Sequence, residues 1–467
     1  MNYGRRVIYS DVKKITKENV ADEVRKAYLV HATNQADIKK LHDIYCGKTD
    51  ILAKVREVRE SINHKICENR AWQITNFYNG YCFGEPVQYV RRENAHKNDA
   101  DDVIAADINA LNGYAFSAGK AACDKKLGEW MFIGGHGYRM TLPNKKWEKD
   151  GDEAPFTMYA LNPGQTFVIY SSDVDGHALA GVHVVIRENN TKVFSVYTDD
   201  FYYEFKEFGE VKAVAHTLTM IPIVEYPLEA SRLGVFEVVV DLLNALNELD
   251  SNRLDDIVQY VNGFLAVLGA EVNEEVYNKL EEWKMLCLPE GTDAKYITAN
   301  LNQADVQTLK NDILEAITTI TGIPNRGNGS SESSNGVAVQ LREGWQDAEA
   351  RAKGVETMFK DAETKTLKLV LRILRDTTGT SLKLSDIDTH FTRRNYENIA
   401  SKSQVLVAML NNPKIHPELA FAHCGMFPDP ESAYLQSKAY YDEQMKTWNP
   451  VDVGAGESAE GGDEDDV

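Results

Sequence analysis

The stretch "GYAFSAGKA" (113–121) holds the residue types that wrap a nucleotide phosphate, namely glycines and a Gly-Lys pair in front of a predicted helix. Its spacing does not fit that role. Five residues rather than four separate Gly113 from Gly119, and Ala121 stands where a Ser or Thr hydroxyl would hold Mg²⁺. The stretch also follows a polar helical segment instead of a buried strand. These departures predict that no nucleotide binds here.

The stretch "SSDVDGH" (171–177) spaces its aspartates as a calcium loop does. No Glu follows at the distance where such a loop needs a bidentate ligand, and alternating apolar residues resume at once. Asp175 and Gly176 lie between two strand-like runs, and an Asp-Gly pair in that position is typical of a hairpin turn. We therefore expect a turn and no calcium site.

The histidines and cysteines show no metal-binding or catalytic spacing. His177 and His183 lie six residues apart across a turn, and His416, His423 and Cys424 lack a fourth ligand nearby. The six cysteines occur singly, which is typical of reduced thiols. No Ser, Cys or His stands in a nucleophile motif such as G-x-S-x-G. The sequence accordingly predicts no enzymatic activity, no metal and no cofactor.

Composition places the chain among ordinary globular proteins, because 43% of its 467 residues are hydrophobic and 26% are charged. Its length suggests about two to four folding units. The most apolar stretch, 235–246, is interrupted by Glu237 and Asp241 and predicts no membrane span. The N-terminus lacks the apolar core of a secretion signal, so we expect a cytoplasmic protein. A net charge of −20 argues against a protein that binds duplex DNA tightly, because Lys and Arg contacts dominate such binding. It does not exclude a protein through which DNA passes.

Hydrophobic periodicity predicts the elements of the first half of the chain. Residues 11–75 predict two or three helices. One of these helices would carry an apolar stripe formed by Ile51, Val55, Val58, Ile62 and Ile66. A helix is expected to end near Gly80 to Gly84, and another to run from 101 to 126. Between 130 and 226, apolar runs alternate with turn signals and predict a sheet of sequence-adjacent strands.

After Pro227 the pattern becomes helical again. Its apolar stripe consists of Leu233, Phe236, Val240, Leu243, Leu246 and Leu249. Short strands are expected at 264–269 and 284–291 around a small helix, then a helix over 302–322 and a long helix over 338–376. Together with the preceding sheet, these elements define an α+β fold.

Two polar segments stand out from this pattern. The run "NRGNGSSESSNG" (325–336) lies between the last two predicted helices and offers almost no apolar area, while its backbone would cost much entropy to order. It predicts an exposed segment that cannot pack a core. Residues 454–467 contain six acidic and no basic side chains and predict a solvated, disordered tail.

Several motifs, taken in order, resemble the portal proteins of tailed bacteriophages, in particular the family typical of siphophages of Gram-positive hosts. "GYCFGEPVQY" (80–89) is similar to that family's "G-Y-x-x-G-x-P-V-x-Y" pattern. The block 221–269 matches a strand "I-P-hydrophobic-hydrophobic-E", a helix ending in "N-x-x-x-S-x-x-x-x-D" and "F-x-x-A-x-L-V-L-x-G". The helix positions are supplied by Asn247, Ser251 and Asp255 or Asp256. "ITTITGIPN" and "SNGVAV" follow in the family's order.

The resemblance implies a non-enzymatic portal: a dodecameric ring at one capsid vertex, the channel for DNA packaging and ejection, assembled in the host bacterial cytoplasm and kept in the virion. It implies a wing (1–227 and 338–400), two stem helices (228–258 and 302–322), a clip (259–301), a tunnel loop (323–337) and a crown (401–453) before the tail. The implied partners are further copies of the chain, the terminase large subunit, scaffolding and major capsid proteins, a head-completion adaptor, and double-stranded DNA bound without sequence specificity. No membrane is implied.

The resemblance also implies two sets of site residues. The tunnel loop would lie beside the DNA through Asn325, Arg326, Asn328, Ser330, Ser331, Glu332, Ser333, Ser334 and Asn335. The clip would meet partner proteins through Glu282, Trp283, Lys284 and Glu290. A plain linker is the alternative for the loop, and a core position is the alternative for Trp283. For the whole chain, the alternative is a non-viral scaffold or adaptor that binds protein through a helical hairpin.

Overall fold

The computed structural model divides the chain into two compact units, residues 1–393 and 394–467. It describes residues 4–56, 60–92, 101–148, 151, 153–207, 209–261, 264–268, 293–297, 303–324, 344–393, 399–427 and 430–448. The helices of the first unit are α1 (Val20–Tyr45), α2 (Arg70–Phe83), α3 (Asp101–Ser117), α4 (Lys120–Gly134), α5 (Val240–Val261), α6 (Gln303–Thr321) and α7 (Trp345–Thr377). The strands are β1 (Ile8–Ser10), β2 (Gln88–Arg91), β3 (His136–Pro143), β4 (Phe156–Leu161), β5 (Thr166–Ser171), β6 (Ala178–Ile186), β7 (Lys192–Tyr197), β8 (Phe201–Lys206), β9 (Lys212–Ala215), β10 (Ile223–Pro227), β11 (Phe264–Leu268), β12 (Asp293–Ile297) and β13 (Ile387–His390).

The larger sheet has six strands in the order β1-β5-β6-β7-β8-β9. Strands β5 to β9 follow each other in antiparallel hairpins, as the sequence predicts, and β1 adds to β5 in parallel. The predicted hairpin turn at Asp175 and Gly176 is confirmed, because it joins β5 to β6 with a φ of +53° at Gly176. Helix α1 covers one face of this sheet, where its Val24 packs with Phe167 and Val182 in a shared core. The mixed helix and sheet content confirms the α+β fold class.

A second sheet, β10-β3-β4, is antiparallel and follows directly on α4. Here one prediction is wrong: the helical region does not end near 126. Gly119, with a φ of +69°, separates α3 from α4, and α4 continues to Gly134. The residues 131–133 are all fully buried, so the run lacks the one-sided pattern that distinguishes a helix from a buried strand.

The predicted helical stripe from Ile51 to Ile66 is also wrong. Asp50–Ala53 forms a short 3₁₀ turn, the described residues 54–56 and 60–69 are not helical, and Val58 lies outside the described residues. The predicted end of a helix near Gly80 to Gly84 is confirmed, since α2 ends at Phe83. Residues 60–69 instead lie against α5 and contact side chains of that helix, which is distant from them in the sequence.

Helix α5 begins later than its apolar stripe suggests. Residues 228–236 form turns, in which Arg232 has a φ of +55° and the N–H of Gly234 donates to the Glu237 carboxylate at 2.9 Å. Helices α6 and α7 coincide with the predicted helices over the residues that the structure describes. Strand β11 lies where a strand was predicted and pairs with β12, whereas the predicted strand 284–291 lies outside the described residues. The main core lies between α2, α4, β10, α5 and α7.

The second unit is helical, as predicted. Its helices are α8 (Ile399–Leu410), α9 (Pro417–Cys424) and α10 (Pro430–Trp448). Phe421 and Cys424 of α9 are buried, and the Phe421 ring lies 5.9 Å from the ring of Tyr434. Across both units, none of the helices that the structure describes is long and apolar enough to cross a membrane.

Candidate functional site

The two predicted sets of site residues, Asn325 to Asn335 and Glu282 to Glu290, lie outside the described residues. The structure does describe the elements that flank them. Helix α6 leads towards the first set and α7 follows it. Strands β11 and β12 lie on either side of the second set. The candidate site is therefore the framework that α5, α6 and α7 provide.

Helices α5 and α6 lie side by side in opposite directions and are joined by polar contacts. The Lys310 ammonium group donates to Asp250 at 2.8 Å. One turn further along α5, Arg253 donates to Gln303 at 2.7 Å and to Gln307 at 2.9 Å. Because residue numbers rise along α5 as they fall along α6, the two helices form an antiparallel hairpin.

Asn247, Ser251 and Asp255 form a polar row along one face of α5, and each side chain accepts a backbone hydrogen bond. Asn247 accepts from the N–H of Glu68 at 2.8 Å, Ser251 from that of Ile66 at 2.9 Å, and Asp255 from that of His64 at 2.8 Å. All three row residues are buried. The sequence motif left Asp255 and Asp256 as alternatives, and the structure assigns the contact to Asp255, since Asp256 is exposed.

The spacing of the polar row matches the spacing of the segment that it binds. Residues four apart on a helix are separated by about 6 Å along its axis. Residues two apart in an extended chain are separated by about 6.6 Å. Three consecutive helix turns can therefore contact every second N–H of an extended segment. This contact explains why residues 60–69 form no helix: their N–H groups have partners on α5.

Replacing Asp255 with Ala is expected to lower the free energy of unfolding by about 2–3 kcal/mol, because charge-assisted hydrogen bonds are lost. Besides the His64 amide, Asp255 accepts from the Lys54 ammonium group at 2.9 Å. Chemical denaturation of the full chain measures the change. Asp256→Ala removes the neighbouring exposed carboxylate and should change the stability by less than about 0.5 kcal/mol. Equal effects of the two variants would contradict the role of the row.

The start of α7 is anchored on α2. The ring of Trp345 lies 6.0 Å from Phe77 and 6.1 Å from Tyr81. One turn later, Glu349 accepts from the Tyr81 hydroxyl at 2.7 Å and from Arg393 at 2.9 Å. The first turns of α7 therefore hold a defined position against α2.

Further along α7, a buried charge network joins this helix to α4, to strand β2 and to the sheet β10-β3-β4. Glu363 accepts from Arg139 of β3 at 2.6 Å, and Lys120 of α4 donates to Asp124 at 2.6 Å. Arg139 also pairs with Asp124. The hydroxyl groups of Tyr89 and Tyr226 each donate to Glu363 at 2.6 Å. The two cations and two carboxylates balance, so the buried charge network is neutral overall.

The balance of the buried charge network sets the protonation of Glu363. Burial raises the pKa of its carboxyl, but the charges of Arg139 and Lys120 outweigh burial and lower that pKa from 4.5 to about 2. The buried charge network also accounts for the Gly-Lys pair at 119–120, because the Lys120 ammonium group forms an ion pair with Asp124. Sequence reasoning missed Arg139 and Glu363. The available signal was a single charged residue, Arg139, within the strand-like run "YRMTL".

A second buried ion pair joins the N-terminal segment to the beginning of α5. The side chains of Arg5 and Glu237 pair and are both fully buried. Glu237 also accepts from the N–H of Gly4 at 3.2 Å. The first described residues are thus attached to the turn from which α5 starts.

The described part of the chain holds no group of three or more His, Cys, Asp or Glu side chains arranged to bind a metal. Arg5 and Glu237, and Lys120, Asp124, Arg139 and Glu363, instead form buried ion pairs with each other. The arrangement can hold α5, α6 and α7 in fixed positions, which is what a framework for flanking segments requires.

Comparison with known proteins identifies the family to which the chain belongs. A model of the family described as "Phage portal protein, SPP1 Gp6-like" matches residues 28–449. A comparison with curated proteins finds no match. Similar solved structures include a chain in the neck of an empty GTA particle computed with C6 symmetry (12% identity, TM-score 0.47, 77% of this chain and 90% of that chain). Another is in the virion of a native gene transfer agent particle (11% identity, TM-score 0.49, 84% of this chain and 94% of that chain). Since the family model matches most of its length, the chain belongs to the phage portal protein family.

Proposed function

We propose that the chain forms a dodecameric ring at one capsid vertex and that double-stranded DNA passes through the ring during packaging and ejection. The observation that carries this proposal is the apolar surface left in solvent by one copy of the α5–α6 hairpin. Leu309 is 51% exposed and Ile320 is 42% exposed on α6, and Ile257 on α5 is 37% exposed. Contacts with further copies would remove this surface from water.

The exposed side chains lie on one face of α6. Leu309 and Ile320 are three helical turns apart and point in nearly the same direction, whereas Ile317 packs into the core of its own copy. Helix α6 therefore has one apolar face for its own chain and another for a neighbour. A contact between two different surfaces of identical copies produces a ring when the rotation closes.

The charge of the chain suits a channel. A channel lined by clustered cations would hold its cargo, because each phosphate contact releases counterions and favours binding. A chain with a net charge of −20 leaves little of this attraction. In the proposed tunnel loop, Asn325 to Asn335, Arg326 would be the cation beside the DNA, among small polar side chains that do not grip.

The remaining assignments extend this proposal. Residues 259–301 would form the clip, with Glu282, Trp283, Lys284 and Glu290 facing the terminase large subunit and later the head-completion adaptor. The wing and crown would face the scaffolding and major capsid proteins. The ring would assemble in the cytoplasm of a Gram-positive host infected by a siphophage. The second candidate, a protein-binding scaffold of non-viral origin, has no observation that favours it.

Deleting residues 327–334 is expected to leave ring assembly intact and to abolish DNA packaging. The deletion removes the proposed contact with the moving DNA but touches none of the contacts among α5, α6 and α7 described above. Electron microscopy of purified rings measures assembly, and counting filled heads after complementation of a portal-defective phage measures packaging. As a matched control, a Gly/Ser segment of equal length in place of 327–334 should retain packaging.

Negative-stain microscopy of the unmodified chain tests the ring itself. We expect a ring with a central hole wide enough for duplex DNA. A monodisperse monomer or dimer at all concentrations would favour the scaffold alternative. Filled heads from the deletion variant would refute the role of the loop even when rings form.

A further inference from the structure

The C-terminal end of α6 is closed by a glycine turn. Gly322 has a φ of +69°, in the left-handed region that favours glycine. The N–H of Ile323 then donates back to the carbonyl oxygen of Thr318 at 3.1 Å. This bond is the hallmark of the Schellman motif, in which the residue after the left-handed glycine satisfies a carbonyl of the last turn.

Two of the last carbonyl groups of α6 are satisfied by other helices. The Tyr78 hydroxyl of α2 donates to the carbonyl oxygen of Thr321 at 2.6 Å, and the Arg351 guanidinium of α7 donates to that of Ile320 at 2.8 Å. We call Tyr78 and Arg351, with these two carbonyl groups, the α6 cap. Its contacts join three helices that are far apart in sequence.

The α6 cap is tightly packed around the glycine. A Cβ atom at position 322 would lie 2.4 Å from the Arg351 Nε and 3.2 Å from the Tyr78 hydroxyl oxygen. The first distance is shorter than a Cβ atom tolerates, so Arg351 would have to move, and the second is a tight contact. Glycine at this position therefore serves the turn and also allows Tyr78 and Arg351 to approach the helix end.

The two donors contribute in different ways. Tyr78 is 1% exposed, and burial raises the pKa of its hydroxyl, so the group keeps its proton and remains a donor at neutral pH. Without the Tyr78 hydroxyl, the buried carbonyl group of Thr321 would lose this hydrogen-bond donor. Arg351 is exposed, and its positive charge lies at the negative end of the α6 dipole.

We propose that Tyr78 and Arg351 are positioning residues, which fix the end of α6 to α2 and α7 so that the helix ends on either side of residues 325–343 move as one body. The inference rests on the proposed function, in which that segment works beside moving DNA. A force on the segment would then be passed to α7 and to α2, on which α7 is anchored. Without the α6 cap, the last turn of α6 would fray, and the force would not reach the other helices.

Hydrogen exchange of the assembled full-length chain tests the α6 cap independently of DNA. In Tyr78→Phe, we expect the amides of residues 320–323 to exchange about tenfold faster, as a lost hydrogen bond of ordinary strength would allow. Tyr81→Phe is the matched control, because it removes a hydroxyl bond between the same α2 and α7 but touches no atom of α6. Arg351→Met is the second variant; it alters an exposed residue and leaves the core unchanged.

Packaging tests the functional part of the inference. Tyr78→Phe and Arg351→Met should lower the number of filled heads while rings still form. Unchanged exchange at 320–323 in both variants would overturn the α6 cap. Faster exchange with a normal number of filled heads would overturn its positioning role. Failure of the proposed function itself is recognised separately, by filled heads from the 327–334 deletion.

Discussion

Replacing Glu363 with Gln is expected to lower the free energy of unfolding by about 3–5 kcal/mol, because removing one partner of a buried ion pair leaves an uncompensated charge. In the variant, Arg139 and Lys120 would share the single carboxylate of Asp124 in a fully buried site. Urea denaturation followed by circular dichroism measures the loss. Asp361→Asn, on the exposed side of the same helix, should change stability by less than about 0.5 kcal/mol.

A double variant distinguishes charge balance from the loss of contacts. Arg139→Met alone should be as harmful as Glu363→Gln, since it leaves an excess negative charge. Combining the two leaves Lys120 and Asp124 as a balanced pair. We therefore expect the double variant to be more stable than the sum of the single effects predicts, by about 1–3 kcal/mol. Strictly additive losses would contradict the importance of charge balance.

The same substitution should change the response to acid. The pKa of Glu363 is depressed to about 2, so the stability it contributes is present above its unfolded value of 4.5 and is lost as the pH falls towards 2. Glutamine does not titrate. The stability of Glu363→Gln should therefore fall less steeply between these pH values than that of the unmodified chain.

Replacing Arg5 with Met is also expected to lower the free energy of unfolding by about 3–5 kcal/mol, because it breaks the other buried ion pair. Glu237 would stay fully buried without its cation. Its remaining partners, the N–H groups of Gly4 and Gly234, carry no formal charge. The adjacent Arg6 is exposed, so Arg6→Met is a control with the same change in composition.

Denaturation of both arginine variants measures the difference. A small loss in Arg5→Met would mean that Glu237 finds another partner or solvent. We also expect Arg5→Met to destabilise the start of α5 in particular, because Glu237 lies in the turn before this helix. Hydrogen exchange at residues 240–244 should therefore increase in Arg5→Met and remain unchanged in Arg6→Met.

The sequence predicted elements whose signal is local. Helix α6 could be predicted because its apolar residues repeat with the period of a helix, and the hairpin at Gly176 because an Asp-Gly turn separates two strands. The segment around Ile62 to Ile66 was mispredicted because its apolar spacing is helical while its amide partners lie on α5. Such partners, almost 200 residues away, leave no mark in a local window.

The framework of the candidate site was only partly predictable for the same reason. Asn247 and Ser251 were found through a family motif, which gave their positions but not their task. Arg5 and Glu237 are 232 residues apart, and only folding brings them together. Lys120 was examined as part of a phosphate loop, because a Gly-Lys pair has the same appearance whether its ammonium group meets a phosphate or a buried carboxylate.

The polar row on α5 has an evolutionary consequence. Asn247, Ser251 and Asp255 bind main-chain N–H groups, which all residues except proline possess. A substitution in the bound segment that keeps its N–H groups therefore leaves these three hydrogen bonds possible, whereas a substitution in the row removes one of them. Proline at 64, 66 or 68 would be the exception, since it removes the donor that the row recognises.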